Sequence, residues 1–209
     1  MLDTVPTNAA RPGPRFGILL EHLAVFVVIT VLAVGLQHAS ALSAVFLWKV
    51  VAALVLGGTL TLTLATKHLQ RRTLGVANRV TLARGGLVAV LLGFIGEVDP
   101  GWTAFAIAAT VLVLDGVDGW LARRLEIASD FGARFDMELD AALILALSVL
   151  VWSSGRAGPW VLLIGLMRYG FLGAALVRPA LGAELPDIEV VRARSEEHTS
   201  ELQSQFRIL

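Results

Sequence analysis

The chain contains no cysteine, so disulfide bonds, thiolate nucleophiles and cysteine-ligated zinc or iron–sulfur centres are excluded. Charged residues are also few: they make up 16% of the 209 residues, against about 25% in typical soluble domains. Hydrophobic residues account for 56% of the chain, and its mean hydropathy is +0.75. This composition excludes a disordered chain and indicates an integral membrane protein.

Six apolar segments follow one another along the chain, each close to the roughly 17–25 residues that cross a bilayer as a helix. They cover residues 17–37, 41–65, 80–96, 102–121, 136–153 and 159–177. Polar, glycine or proline residues separate them, and none shows a convincing strand pattern. The sequence therefore predicts an all-α fold, a polytopic bundle of about six transmembrane helices.

Basic residues are distributed unequally between the two sets of loops. If the N-terminus is cytoplasmic, the outer loops hold only Arg156, and the other loop cations are all inner. These inner cations are Arg11, Arg15, Lys67, Arg71, Arg72, Arg79, Arg123, Arg124, Arg134 and Arg178. Because lysine and arginine favour the cytoplasmic side, we expect residues 1–15 to form a cytoplasmic arm. The membrane is expected to be a bacterial inner membrane.

Four aspartates lie at the predicted inner ends of the fourth and fifth apolar segments. Asp115 and Asp118 are three residues apart, and Asp136 and Asp140 are four apart, so each pair shares one helix face. Carboxylates crowded near hydrocarbon are costly, whereas oxygen-rich clusters suit hard divalent cations. The pattern predicts a site for Mg²⁺ or Mn²⁺, next to basic residues that suit phosphate.

The stretch from Asp115 to Asp140 resembles the signature of the CDP-alcohol phosphatidyltransferases, D-x2-D-G-x2-A-R-x8-9-G-x3-D-x3-D. All eight fixed identities are present, with eight residues between the arginine and the second glycine. The matching residues are Asp115, Asp118, Gly119, Ala122, Arg123, Gly132, Asp136 and Asp140.

This resemblance implies an enzyme of phospholipid biosynthesis. It would move a phosphatidyl or other phospho-alcohol group from a CDP-linked lipid or CDP-alcohol donor to an acceptor hydroxyl, releasing CMP. The resemblance further implies two divalent ions held by the four aspartates, with Asp140 also acting as general base. Gly119, Ala122 and Gly132 would make room for the nucleotide, and Arg123 would bind the diphosphate. The resemblance also implies a homodimer that is surrounded by membrane lipids. It implies no nucleic-acid partner.

Five further residues are candidates for substrate contact. Asn78, Thr81 and Arg84 are similar to the N-x2-T-x2-R opening of the family's first core helix. Arg134 lies beside the aspartates in sequence. Arg168 lies inside the last apolar segment, where a charge is costly and usually functional.

The resemblance covers about residues 70–180 and predicts the division of the chain. Residues 16–66 are expected to form two accessory transmembrane helices, and residues 67–193 a core with four of the family's six helices. Residues 194–204 read R-S-E-E-H-T-S-E-L-Q-S, which resembles the translation of a common sequencing adapter. We therefore expect residues 194–209 to be an artefact that truncates the core.

Two other functions are compatible with the aspartates. A cation transporter or channel would spread its acids through the membrane depth and show inverted repeats, whereas here the acids cluster and no internal repeat is visible. A metal-dependent phosphohydrolase would use water as the acceptor. The sequence leaves four candidates for the acceptor alcohol: glycerol 3-phosphate, inositol phosphate, serine and another CDP-lipid. It also does not determine whether the donor or the acceptor is the lipid.

Overall fold

The computed structural model describes residues 14–68, 73–98, 101–124 and 130–178, and its regular structure in these ranges is entirely helical. The predicted all-α fold is confirmed. The elements are α1 (Pro14–Ala39), α2 (Ala44–His68), α3 (Val76–Gly93), α4 (Gly101–Arg124), α5 (Asp130–Ser153) and α6 (Val161–Val177). Most of the expected arm 1–15, and all of the tail 194–209, lie outside the described residues.

Four helices are long and apolar enough to cross a membrane. Their spans are Phe16–Ala39, Ala44–Ala65, Val76–Gly93 and Gly101–Leu121. The α5 helix is as long but carries Asp136, Glu138 and Asp140, and the apolar part of α6, Val161–Ala175, is shorter. The helices therefore fit a membrane bundle, with its acidic residues concentrated on α4 and α5.

The starts of α3 and α5 differ most from the predicted segments. The α3 helix begins at Val76 rather than at residue 80, directly after Gly75, whose φ of +86° suits glycine. The α5 helix begins at Asp130 rather than at residue 136. Hydropathy marks only the uninterrupted apolar stretch of a membrane helix, so first turns that contain polar or charged residues, such as Asn78 and Arg134, fall outside it. As a result Asn78 and Gly132 lie inside helices.

The chain divides into two compact units, Met1–Leu166 and Met167–Leu209. The first contains α1 to α5 and the beginning of α6. Within it, Gly165 of α6 lies against α5, because a Cβ atom at this glycine would be 2.8 Å from the Cα of Leu145. In the second unit, the described residues are the rest of α6 and Arg178.

The centre of the first unit is α3, which contacts α1, α2, α4 and α5. Half of its membrane-length window is buried, against 17–22% for the other three spans. Its buried residues Val88, Val90 and Leu91 belong to the main apolar core. Because α3 touches four helices, its position determines how the other helices are arranged.

The accessory helices pack on α3 where it carries glycine. A Cβ atom at Gly86 would be 2.5 Å from Ile29 of α1, and one at Gly93 would be 2.6 Å from Val50 and 2.8 Å from Phe46 of α2. These glycines are seven residues apart, which is close to two helical turns. The missing side chains therefore let α1 and α2 approach the α3 backbone closely.

Polar contacts join these helices at both ends of the bundle. Glu21 of α1 accepts hydrogen bonds from the backbone N–H of Leu74 (2.9 Å) and from Arg79 Nε (2.9 Å), next to the start of α3. At the opposite end Glu97 accepts from Ser43 N (3.0 Å) and Ser43 Oγ (2.6 Å). Burial raises the pKa of Glu97, but these hydrogen bonds and the nearby Lys49 outweigh it, so the pKa lies below its ordinary value.

An apolar cavity of about 380 Å³ lies between the accessory helices and the core helices α3 and α5. Its wall includes Gly57 and Gly58 of α2, Gly85 of α3 and Leu139 of α5. The accessory helices thus leave space beside the core as well as packing on it.

Replacing Gly93 with alanine is expected to destabilise the protein by about 1–3 kcal/mol, because Phe46 and Val50 are fully buried and cannot move aside. The matched control is Gly57→Ala on α2, where a Cβ atom would meet nothing within 4 Å. The control is expected to keep or slightly raise stability, since alanine favours helix by up to about 1 kcal/mol. Thermal unfolding in detergent measures both, and equal midpoints for the two variants would contradict the close packing of α2 on α3.

Candidate active site

The candidate site lies where α3, α4 and α5 meet. Thr81 and Arg84 are one helical turn apart on α3 and are both buried. Asp115 and Asp118 lie in the last turns of α4, and Asp136 and Asp140 in the first half of α5. The two pairs of aspartates, each predicted to share a helix face, thus meet in one cluster.

The guanidinium of Arg84 lies at the centre of this cluster and contacts all four aspartates. Its Nη1 atom donates to Asp118 Oδ2 (2.8 Å) and Asp136 Oδ1 (2.5 Å). Its Nη2 atom is 2.7 Å from both Asp115 Oδ1 and Asp140 Oδ1. Each nitrogen therefore bridges one carboxylate of α4 and one of α5.

Burial differs strongly within the cluster. The Arg84 side chain is fully buried and that of Asp118 is 4% exposed, whereas Asp115, Asp136 and Asp140 are 36–46% exposed. Asp118 Oδ2 also accepts a hydrogen bond from Thr81 Oγ1 at 3.0 Å. The cluster thus has a closed side at Asp118 and an open side that a ligand can reach.

Three of the aspartates fit a divalent cation. Asp115, Asp118 and Asp136 each offer a carboxylate oxygen, and these oxygens lie within 4.8 Å of one another. The other oxygen of Asp118, Oδ1, is buried and has no hydrogen-bond partner among the described residues. A buried carboxylate oxygen without a donor suits a metal ligand, so the residues present fit Mg²⁺ or Mn²⁺.

Of the other residues predicted to contact substrate, Thr81 and Arg84 touch the aspartates, and the rest have other surroundings. Asn78 donates to the carbonyl of Leu74 at 2.9 Å, so it supports the start of α3, and Thr81 contacts Asp118. Arg134 is exposed on α5. Arg168 is half-buried on α6 in the second unit, and its role stays a prediction.

The residues expected to hold the nucleotide lie on the same two helices as the aspartates. Gly119, Ala122 and Arg123 are in the last turns of α4, and Gly132 is in the first turn of α5. The side chains of Ala122 and Arg123 lie outside the description, so Arg123's predicted contact with the diphosphate stays a prediction. Along the chain, all four residues lie between the two pairs of aspartates. Gly119, Ala122 and Arg123 precede residues 125–129, and Gly132 follows them.

Sequence reasoning placed Arg84 among substrate contacts and missed its position between the carboxylates. The signal available was charge: four acids close to hydrocarbon need cations, and Arg84 is a lone charge within an apolar segment. No spacing rule joins residue 84 to residues 115–140, because they lie on different helices.

The sequence model of the CDP-alcohol phosphatidyltransferase family matches residues 74–192, more than half of the chain. This match includes α3 and all four aspartates. The chain belongs to the CDP-alcohol phosphatidyltransferase family. The resemblance read from the eight signature residues is thereby confirmed.

A curated relative in the family is the CDP-diacylglycerol–glycerol-3-phosphate 3-phosphatidyltransferase of Cereibacter sphaeroides. It is 26% identical over 116 residues, which cover 55% of this chain and 52% of the relative. The chain thus spans about half the length of that relative. No solved structure gives a significant match.

Replacing Asp118 with asparagine is expected to weaken Mn²⁺ binding by roughly tenfold or more, because a neutral amide is a poorer ligand than a carboxylate. Electron paramagnetic resonance of Mn²⁺ with the purified protein measures the affinity. The matched control is Glu138→Gln, which removes an acid that is exposed on α5. Equal affinities for Asp118→Asn and the unaltered protein would contradict the ligand assignment.

Proposed function

We propose that this protein transfers a phosphatidyl group from a CDP-linked lipid to the hydroxyl of an acceptor alcohol, with release of CMP. The observation that carries the proposal is the convergence of four carboxylates from α4 and α5 on one cluster, in a chain of this family. A phosphotransfer site must balance the charge of a diphosphate and orient two oxygens on one phosphorus. A compact set of acids that can hold cations meets this need.

In the proposed reaction the acceptor oxygen forms a bond to the phosphorus that carries the lipid. The bond from that phosphorus to the bridging oxygen of the diphosphate breaks, and CMP leaves with that oxygen. The acceptor hydroxyl loses its proton to a general base. Atoms and charge balance without an oxidant or a reductant.

Asp140 is the proposed base. Its side chain is 46% exposed, the largest exposed fraction among the four aspartates, which lets a hydroxyl approach. It lies outside the group of Asp115, Asp118 and Asp136 whose oxygens come within 4.8 Å of one another. An open carboxylate beside the proposed metal ligands suits proton abstraction from an acceptor.

The proposed ligands for one or two Mg²⁺ or Mn²⁺ ions are Asp115, Asp118 and Asp136. Asp140 would complete the site. When bound, such ions supply electrostatic stabilisation of the phosphate oxygens. Gly119, Ala122 and Gly132 are proposed to make room for the cytidine nucleotide, and Arg123 to bind its diphosphate. Asn78, Thr81, Arg134 and Arg168 remain candidates for substrate contact.

The acceptor we propose to test first is glycerol 3-phosphate. The curated relative from Cereibacter sphaeroides bears that alcohol in its name. The end of the bundle that carries the aspartates is proposed to face the cytoplasm of a bacterial inner membrane, because the basic loop residues favour that side. A homodimer is expected from the family resemblance.

The position of the acids favours an enzyme over a transporter or channel. One guanidinium reaches all four aspartates, so they cannot be spaced through the thickness of a membrane as a transport pathway requires. A phosphohydrolase differs only in its acceptor, which is water, and the assay below distinguishes it.

The test is release of CMP from CDP-diacylglycerol by the purified protein, with Mg²⁺ and a panel of alcohols. Release is expected to depend on one acceptor, with glycerol 3-phosphate tried first, and to stop when EDTA removes the metal. Release without any alcohol would indicate a hydrolase. No release from CDP-diacylglycerol or a soluble CDP-alcohol would contradict the proposed transfer.

Asp140→Asn is expected to lower the rate of transfer by about 10²–10⁴-fold while leaving binding of the CDP donor largely intact, because asparagine cannot accept the proton. Turnover and donor binding are measured separately on the same preparation. Loss of folding or of donor binding, rather than of turnover, would argue against the role as base. Glu138→Gln again serves as the matched control.

A further inference from the structure

We infer that Arg84 is the internal counter-cation of the four carboxylates in the metal-free protein, and that a divalent metal binds by displacing it. This inference rests on the proposed function only in taking the aspartates as metal ligands. It assigns to Arg84 a positioning and competing role rather than direct contact with substrate.

The Nη1 atom of Arg84 lies between two of the proposed metal ligands. It is 2.8 Å from Asp118 Oδ2 and 2.5 Å from Asp136 Oδ1, between one carboxylate of α4 and one of α5. Asp118 and Asp136 would also hold the divalent ion, so the guanidinium and the ion would compete for the same carboxylates.

The charges of the cluster do not cancel. Arg84 brings one positive charge to four carboxylates, so the cluster still carries an excess of negative charge that attracts a divalent cation. Arg84 is nevertheless fully buried, and a buried guanidinium is retained only where its charge is compensated. Its presence keeps the carboxylates together until a metal takes over that role.

The hydrogen bonds of the cluster are incomplete. Arg84 Nε is buried and has no hydrogen-bond partner among the described residues, and the same holds for Asp118 Oδ1. The guanidinium thus does not satisfy the cluster completely, even though four of its contacts are short.

The experiment compares Mn²⁺ binding, by calorimetry or electron paramagnetic resonance, in the unaltered protein, Arg84→Gln and Arg84→Lys. Arg84→Gln is expected to bind Mn²⁺ roughly tenfold or more tightly, because both the competing donor and the repelling charge are gone. Arg84→Lys keeps the charge without the two-pronged guanidinium, so its affinity is expected to fall between the other two.

The matched control is Arg79→Gln, which removes a half-exposed arginine of the same helix that binds Glu21 rather than the cluster. Its Mn²⁺ affinity is expected to equal that of the unaltered protein. If Arg79→Gln bound Mn²⁺ as tightly as Arg84→Gln, the gain in affinity would come from the loss of any positive charge. That result would overturn the inference.

Thermal unfolding keeps the inference testable if Arg84→Gln folds poorly. Without metal its unfolding midpoint is expected to fall, since the four carboxylates lose their counter-cation. Saturating Mn²⁺ is expected to restore most of that loss, and to shift the unaltered protein less. Weaker Mn²⁺ binding, or a loss of midpoint that Mn²⁺ does not restore, would show that Arg84 supports the metal-bound site instead, and unchanged Mn²⁺ binding would show that Arg84 does not compete with the metal.

These outcomes are separate from those of the transfer assay. Tighter Mn²⁺ binding in Arg84→Gln, without CMP release from the unaltered protein, would keep the counter-cation role and contradict the phosphotransfer. Metal-dependent CMP release with unchanged Mn²⁺ affinity in Arg84→Gln would keep the phosphotransfer and overturn the counter-cation role.

Discussion

The ion cluster of Arg84 with four aspartates is the interaction on which the arrangement of α3, α4 and α5 depends. Its five charged groups come from three helices, and each would be costly alone in an apolar bundle. Together they compensate one another in part, because Nη1 and Nη2 of the guanidinium each bridge α4 and α5. Removing one partner of a buried ion pair leaves an uncompensated charge and is strongly destabilising. The requirement for charge compensation therefore fixes α3 between the two helices that carry the acids.

Apolar packing fixes the other side of α3. Gly86 and Gly93 allow α1 and α2 to approach its backbone, and Glu21 of α1 binds Leu74 just before α3 and Arg79 in the first turn of α3. The two helices that precede the family match thus hold the helix that carries Arg84. This gives the accessory pair a structural role that hydropathy alone did not indicate. It also explains why α3 is the most buried of the membrane-length helices.

The helices and the aspartates could be predicted from the sequence because both depend on local rules. Apolar length predicts a membrane helix, and spacings of three and four place Asp115 with Asp118 and Asp136 with Asp140 on shared faces. The early start of α5 was missed because Asp130 and Arg134 interrupt the apolar residues of its first turns. The position of Arg84 was missed for a different reason. Its contacts join residues 31 to 56 positions apart, and only the packing of three helices brings them together.

The most direct test of this account is anomalous diffraction from crystals of the protein grown with and without Mn²⁺. With Mn²⁺, the account predicts an anomalous peak within about 2.5 Å of carboxylate oxygens of Asp115, Asp118 and Asp136, and a guanidinium of Arg84 withdrawn from Asp118 and Asp136. Without Mn²⁺, it predicts the guanidinium between those carboxylates. A peak elsewhere, or Arg84 in the same place in both crystals, would contradict the account.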